Sequence, residues 1–203
     1  ETSIHVYVDK PAAKISPMLY GIFFEDINFA ADGGLYAELV QNRSFEYYPI
    51  EGWNPLSESY DPLYAWEKVQ RDGGKCRLRV DRSIPLNRNN PNYLTLNIDS
   101  EDGIVGVCNS GFDGIRIDKG EKYDISFYDR RTGHQNTPIT VVLEGENGDV
   151  YGSVSFNEPG RDWQKFEDVI ESNQTSDKAR LVLTTTGRGT VYLDMVSLFP
   201  QKT

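Results

Sequence analysis

Val191-Tyr192-Leu193-Asp194-Met195-Val196-Ser197-Leu198-Phe199 alternates apolar with other side chains, the period-two signature of a strand with one face buried. Val191 and Leu193 are in phase, as are Val196 and Leu198, but the two pairs are out of phase with each other. A one-residue slip would turn one pair to the wrong face, so the spacing predicts a β-bulge near Asp194-Met195. That puts a carboxylate at a kink where backbone carbonyls are also turned free. Such a geometry suits calcium, which takes several oxygens at once.

Working outward from this strand, the same alternation recurs. Cys76-Leu78-Val80, Leu94-Leu96-Ile98, Tyr123-Ile125-Phe127, Ile139-Val141-Leu143 and Ala179-Leu181-Leu183 each place apolar groups on one face. Ile104–Cys108, Val154-Phe156 and Trp163–Ile170 extend the set, and the β pattern begins at Trp66. Gly73-Gly74, Asp102-Gly103, Asn147-Gly148 and Gly187-Arg188-Gly189 punctuate it as turns. Nine or ten short strands over roughly 155 residues, with no helical pattern between them, predict an all-β, two-sheet sandwich. A jelly roll is the version that ligand-binding sandwiches of this size commonly adopt; periodicity leaves an immunoglobulin-like order open.

The front of the chain reads differently. Ile4, Val6 and Val8 alternate as a half-buried strand. Gly21–Phe24 is a short apolar run ending in Glu25 and Asp26. Leu35, Tyr36, Leu39 and Val40 then recur at helical spacing, predicting a helix of two to three turns that carries Glu38 and Arg43 on a solvated or interdomain face. Strand, loop and helix make one β/α unit, and nothing later repeats it. Tyr47 to Pro62 is rich in Tyr, Pro, Glu and Ser without periodicity and reads as a loop.

The 203 residues carry a net charge of −10, which argues against nucleic acid and anionic membranes as partners, since both call for a basic face. No run approaches the ~18 apolar residues of a membrane span, and Glu1-Thr2-Ser3 reads as the start of a mature or trimmed chain. Two His and two Cys make a zinc site a poor fit. Cys76 and Cys108 lie in separate strands; a disulfide and two buried thiols both remain open. Aromatics reach 12%, with twelve Tyr, which suits either a sugar-binding surface or an ordinary all-β core.

The run Leu19–Glu46 carries a specific resemblance. Leu-Tyr-Gly-Ile-Phe-Phe-Glu-Asp-Ile-Asn, then Gly-Gly-Leu-Tyr-Ala-Glu-Leu-Val-Gln-Asn-Arg-Ser-Phe-Glu, resembles the opening of the retaining α-L-arabinofuranosidases of glycoside hydrolase family fifty-one. Gly106-Val107-Cys108-Asn109-Ser110-Gly111-Phe112-Asp113-Gly114-Ile115 and Asp118-Lys119-Gly120-Glu121-Lys122-Tyr123 are similar to that family too. The resemblance implies a strand of a distant C-terminal β-sandwich (1–14), the first β/α unit of an incomplete (β/α)8 barrel (15–45) and an inserted carbohydrate-binding-like jelly roll (46–203). It implies a secreted or periplasmic enzyme acting on arabinan or arabinoxylan, with the rest of the barrel and the C-terminal sandwich as partners of this segment. Phe29 departs from the His that many members carry after the Ile-Asn pair.

Glycoside hydrolysis uses two carboxylates flanking the bond. The resemblance places that pair on later barrel strands, so no catalytic residue and no catalytic cofactor is assigned to this chain. It gives Glu25 a hydrogen bond to the substrate sugar, with Asp26 and Asn28 supporting the pocket; loop capping before the helix is the competing reading for those two. Asn157-Glu158-Pro159-Gly160 imitates an acid/base motif but sits between strands, where Asn, Pro and Gly are turn residues. For the jelly roll, the resemblance pairs Glu46 with Asp194 as holders of a structural calcium, against a reading as two surface carboxylates. Candidate sugar-face aromatics are Trp53, Tyr60, Tyr64, Phe112, Tyr128 and Tyr151, whereas Trp66 and Trp163 read as core. The competing function is a purely structural jelly-roll insert that packs on the barrel and binds no sugar.

Overall fold

The computed structural model describes residues 37–47, 61–133, 137–157 and 160–201. The expected strands at Ile4–Val8 and Gly21–Phe24, and the residues Glu25, Asp26, Asn28, Phe29, Trp53, Tyr60 and Glu158, lie outside these. From Trp66 the chain is built of antiparallel strands: β1 (Trp66–Arg71), β2 (Cys76–Asp81), β3 (Tyr93–Ile98), β4 (Ile104–Asn109), β5 (Ile115–Ile117), β6 (Lys122–Thr132), β7 (Ile139–Glu144), β8 (Val150–Phe156), β9 (Gln164–Glu171), β10 (Ser176–Thr185) and β11 (Gly189–Pro200). The first sheet runs β1-β4-β10-β7-β8 with β5 also on β10; the second runs β2-β3-β11-β6-β9. The chain crosses repeatedly between the sheets, giving a jelly-roll sandwich. Short β5 is the strand that periodicity did not separate, because three residues are too few to show an alternation.

The core lies between the sheets. Val105, Val107, Leu181, Leu183, Val141 and Leu143 from the first meet Leu94, Leu96, Ile125, Phe127, Val191 and Leu193 from the second, all buried. Fully burying one such side chain is worth ~1.5–3 kcal/mol. Gly106 lets β4 and β10 approach closely, since a Cβ there would stand 2.0 Å from the Leu183 carbonyl oxygen.

The expected bulge is present. Asp194 pairs with Tyr128 and Ser197 with Ser126, so three steps on β11 oppose two on β6. Met195 absorbs the extra residue at φ 51°, in the left-handed region. Val191, Leu193, Val196 and Leu198 consequently all face the core.

The bulge has a second consequence. β11 pairs with β3 only through Gly189–Leu193, leaving Val196 and Leu198 without that neighbour. Residues 38–43 fill the gap as a strap. The Leu39 amide donates to the Leu198 carbonyl (3.0 Å), and the Val196 amide donates to the Arg43 carbonyl (3.0 Å). This corrects the expected helix: its described part, 37–45, is extended and turning chain rather than α-helix. Helical spacing put Leu39 and Val40 together on paper, but the unpaired edge of β11 offers backbone partners that a helix would forgo.

Candidate functional site

Glu38 anchors the strap. It is fully buried, and its carboxylate accepts hydrogen bonds from the Val40 amide (3.0 Å), the Leu198 amide (2.9 Å) and the Ser197 hydroxyl (2.7 Å). Arg43 stands 3.4 Å away as counter-ion. A solvated or interdomain helix face was the expectation for both residues. Instead Glu38 satisfies the backbone of the kinked last strand, as a buried charge requires.

Beside this anchor lies the expected carboxylate pair. Asp194 is 1% exposed. Its Oδ1 accepts the Met195 amide at 2.7 Å, and its Oδ2 is buried without a partner. Burial pushes its carboxyl up to about 7; the Met195 amide and Arg43 work against that rise, and the Glu46 charge adds to it. Glu46 is oriented by Asn92, whose backbone amide and side-chain Nδ2 donate to its two oxygens at 2.7 and 2.8 Å. Two acids 148 positions apart in the chain are therefore brought within electrostatic reach. An orphaned carboxylate oxygen beside a second carboxylate is donor chemistry that fits a hard cation. Among the described residues no group of three or more His, Cys, Asp or Glu gathers, so further ligands there would be backbone carbonyls or water.

The described aromatics fall into three settings. Tyr64 and Tyr47, 37% and 38% exposed, stack with ring centroids 4.4 Å apart and planes at 16°. Asn42, at φ 53°, arranges them: its Nδ2 donates to the Pro62 and Tyr64 carbonyls and its Oδ1 accepts the Tyr47 amide. Tyr151 packs against the core and Phe112 is half-buried. Trp66 is core, as expected, with its indole N–H donating to the Asn42 carbonyl.

Trp163 departs from expectation. It is half-buried on the outer face of the second sheet, its indole N–H donating to the Ile84 carbonyl (3.0 Å) and its ring edge-on to Tyr93 at 5.4 Å. Val169, on the following strand β9, is exposed on the same outer side. Tyr192 stands edge-on to Tyr93 at 5.8 Å, and the Arg130 guanidinium lies 5.1 Å over the Tyr192 ring. Arg79, Thr95, Tyr192 and Arg130 are in register on this face. Tyr128, two residues before Arg130, lines a cavity of about 580 Å³ with Asp194, Met195 and residues 86–90. Tyr192 alternates with Val191 and Leu193 in the sequence, so its outward direction was legible there; its neighbours were not.

The outer face of the first sheet carries a small apolar cluster. Val69, Cys108 and Val182 are buried against Val142. At its margin buried Glu144 is held by Arg180 (2.6 Å) and Arg71 (2.7 Å). Burial lifts the Cys108 thiol to about 11, so it stays protonated at neutral pH. Cys76 is also buried and free, which leaves the two cysteines as separate thiols.

A two-sheet jelly roll with an aromatic and polar outer face and an acidic pair at its last-strand bulge has the architecture of a ligand-binding β-sandwich module. The chain belongs to the carbohydrate-binding domain family, whose profile matches residues 37–190. It is 39% identical over 211 residues to an extracellular exo-α-L-arabinofuranosidase of Streptomyces chartreusis, covering all of this chain and 22% of that protein. α-L-Arabinofuranosidase 1 of Arabidopsis thaliana is 36% identical over 200 residues, covering 93% of this chain and 28% of that protein. The solved arabinose-bound MgGH51 α-L-arabinofuranosidase superposes with a TM-score of 0.73 at 30% identity, over 90% of this chain and 29% of the other. The chain thus spans between a fifth and three tenths of the length of these relatives.

Proposed function

We propose that this chain is a segment of a larger, secreted, retaining α-L-arabinofuranosidase acting on arabinan or arabinoxylan, with the jelly roll as its carbohydrate-binding module. The supporting observation is a likeness to named arabinofuranosidases that runs the whole length of the chain, joined to a family match covering the sandwich. The Streptomyces relative is described as extracellular, and no helix among the described residues is long and apolar enough to cross a membrane. In this reading Glu25, with Asp26 and Asn28, completes the sugar pocket of a barrel whose nucleophile and acid/base lie in the rest of the enzyme. Retention proceeds through a covalent glycosyl-enzyme when both carboxylates are present; this chain by itself turns over no aryl arabinofuranoside. Release of aryl alcohol by the purified chain, abolished by Glu25→Gln or Glu158→Gln, would overturn that assignment.

Glu46 and Asp194 hold a structural calcium in this proposal. The cation would supply positive charge to two carboxylates that otherwise repel, and Asn92 and the Met195 amide orient those carboxylates. Chelation of the metal-loaded chain then lowers its melting temperature, since a ligand bound only by the folded state stabilises it. An unchanged melt would reduce the pair to two structural acids.

One observation favours the alternative of a purely structural insert. Tyr64 spends a ring face on Tyr47, and the Tyr93 pairs with Trp163 and Tyr192 on the second sheet are edge-on rather than coplanar. Affinity electrophoresis of the chain through arabinan and arabinoxylan gels separates the two: retardation supports the module, and free migration in every gel supports the insert.

A further inference from the structure

The outer face of the second sheet carries cations that the rest of this acidic molecule does not neutralise. Arg77 pairs with Asp99 and Arg79 with Asp81. Arg130 and Arg88 make no ion pair among the described residues. Arg130 has its guanidinium over Tyr192 and its Nη1 buried without a hydrogen-bond partner, and on the far side of Tyr192, two strands away, the Thr95 hydroxyl is equally unpartnered. Arg88 projects from an exposed loop, residues 86–90, whose Asn87, Asn89 and Asn90 share the wall of the 580 Å³ cavity with Tyr128; among the described residues Asp194 is the one acid on that wall. The volume falls in the range of small-ligand sites. Amides and a tyrosine ring are groups that bind hydroxyls and sugar faces. An arginine fork with free donors is matched instead to a planar carboxylate.

We infer that this face, between loop 86–90 and Arg130, binds a uronate-bearing polysaccharide, with Arg130 and Arg88 taking the sugar carboxylate and Tyr128 and the three asparagines holding the ring. The inference rests on the reading of the sandwich as a sugar-binding module and names the class of sugar it takes. On a chain of net charge −10, an anionic glycan would be repelled by the surface at large, so the two unpaired arginines also set the register of docking.

The test is affinity electrophoresis of the full 203-residue chain in gels of glucuronoxylan, of the same polymer after reduction of its uronates to neutral sugars, and of arabinan. Retardation by glucuronoxylan is expected to fall at least fivefold on carboxyl reduction, and by a similar factor in Arg88→Gln and Arg130→Gln at unchanged melting temperature. If Arg130→Gln unfolds, Arg88→Gln, on an exposed loop, decides alone. Equal retardation by native and reduced polymer, binding to arabinan alone, or an Arg88→Gln chain that binds as tightly as the parent would overturn the inference and leave the module reading standing. Free migration in all three gels would overturn both.

Discussion

Glu38 shows how much one side chain can carry when it is buried with its donors. Replacing it with Ala strands the Leu198 amide and the Ser197 hydroxyl in the interior and leaves Arg43 without its counter-ion. Breaking a buried charge's network of this kind costs ~3–5 kcal/mol, so Glu38→Ala is expected to lower stability by about that amount in a urea titration; a loss below about 1 kcal/mol would contradict the strap. Asp194 makes a prediction about pH. Its folded carboxyl sits at about 7 against an unfolded value of ~3.9, so between these values the folded state holds the extra proton. Stability from this group is therefore present at low pH and lost as pH rises from ~4 to 7, by about 4 kcal/mol at ~1.4 kcal/mol per pH unit. In chelator, the parent chain should lose stability over that range relative to Asp194→Asn. With calcium the slope should shrink, because the cation takes the proton's place. Parallel profiles for parent and variant in chelator would remove the argument.

At the scale of elements, β4 and β10 are held at a separation only glycine allows. Gly106→Ala would drive a methyl into the backbone at Leu183, and overpacking that backbone cannot relieve costs about 3 kcal/mol. Gly120→Ala serves as the comparison, since nothing stands within 4 Å of a Cβ there and only its positive φ resists. The Gly106 variant should melt well below the Gly120 variant; equal melts would mean that the two strands can separate. The bulge on β11 belongs to the same scale. It follows directly on Asp194 and lies where the pairing with β3 ends, so the candidate cation site and the vacancy that the strap occupies sit at the same irregularity.

For the whole molecule, the strap decides where the sandwich begins. Val40 and Phe45 are fully buried with the core of both sheets, and the family match also starts at residue 37. A chain shortened to begin at Ala37 keeps Glu38, Leu39 and Val40, and should melt close to the full chain. One beginning at Asn42 loses all three and should melt at least 5 °C lower, since ~1 kcal/mol corresponds to about 2–8 °C in domains of this size range. Identical melts for the two would show that residues 38–41 add nothing.

Alternation by itself determined the strands other than β5, most of their inward faces and the slip at Asp194-Met195, because side-chain direction in a strand follows sequence position with period two. Turn residues likewise marked where the sheets are joined. What tertiary structure decided lies where a residue's environment comes from distant chain. Leu39 and Val40 have helical spacing, yet β11 needed a neighbour and took them as extended chain. Glu38 reads as a surface acid until Ser197 and Leu198 are seen to bond it. Trp163 reads as core until the Ile84 carbonyl and the Tyr93 ring are seen to hold it on the outer face. Arg130 is one arginine among many until the register sets it over Tyr192 with an unused donor. Local pattern fixes which way a side chain points; only the assembled sheets determine what it meets there.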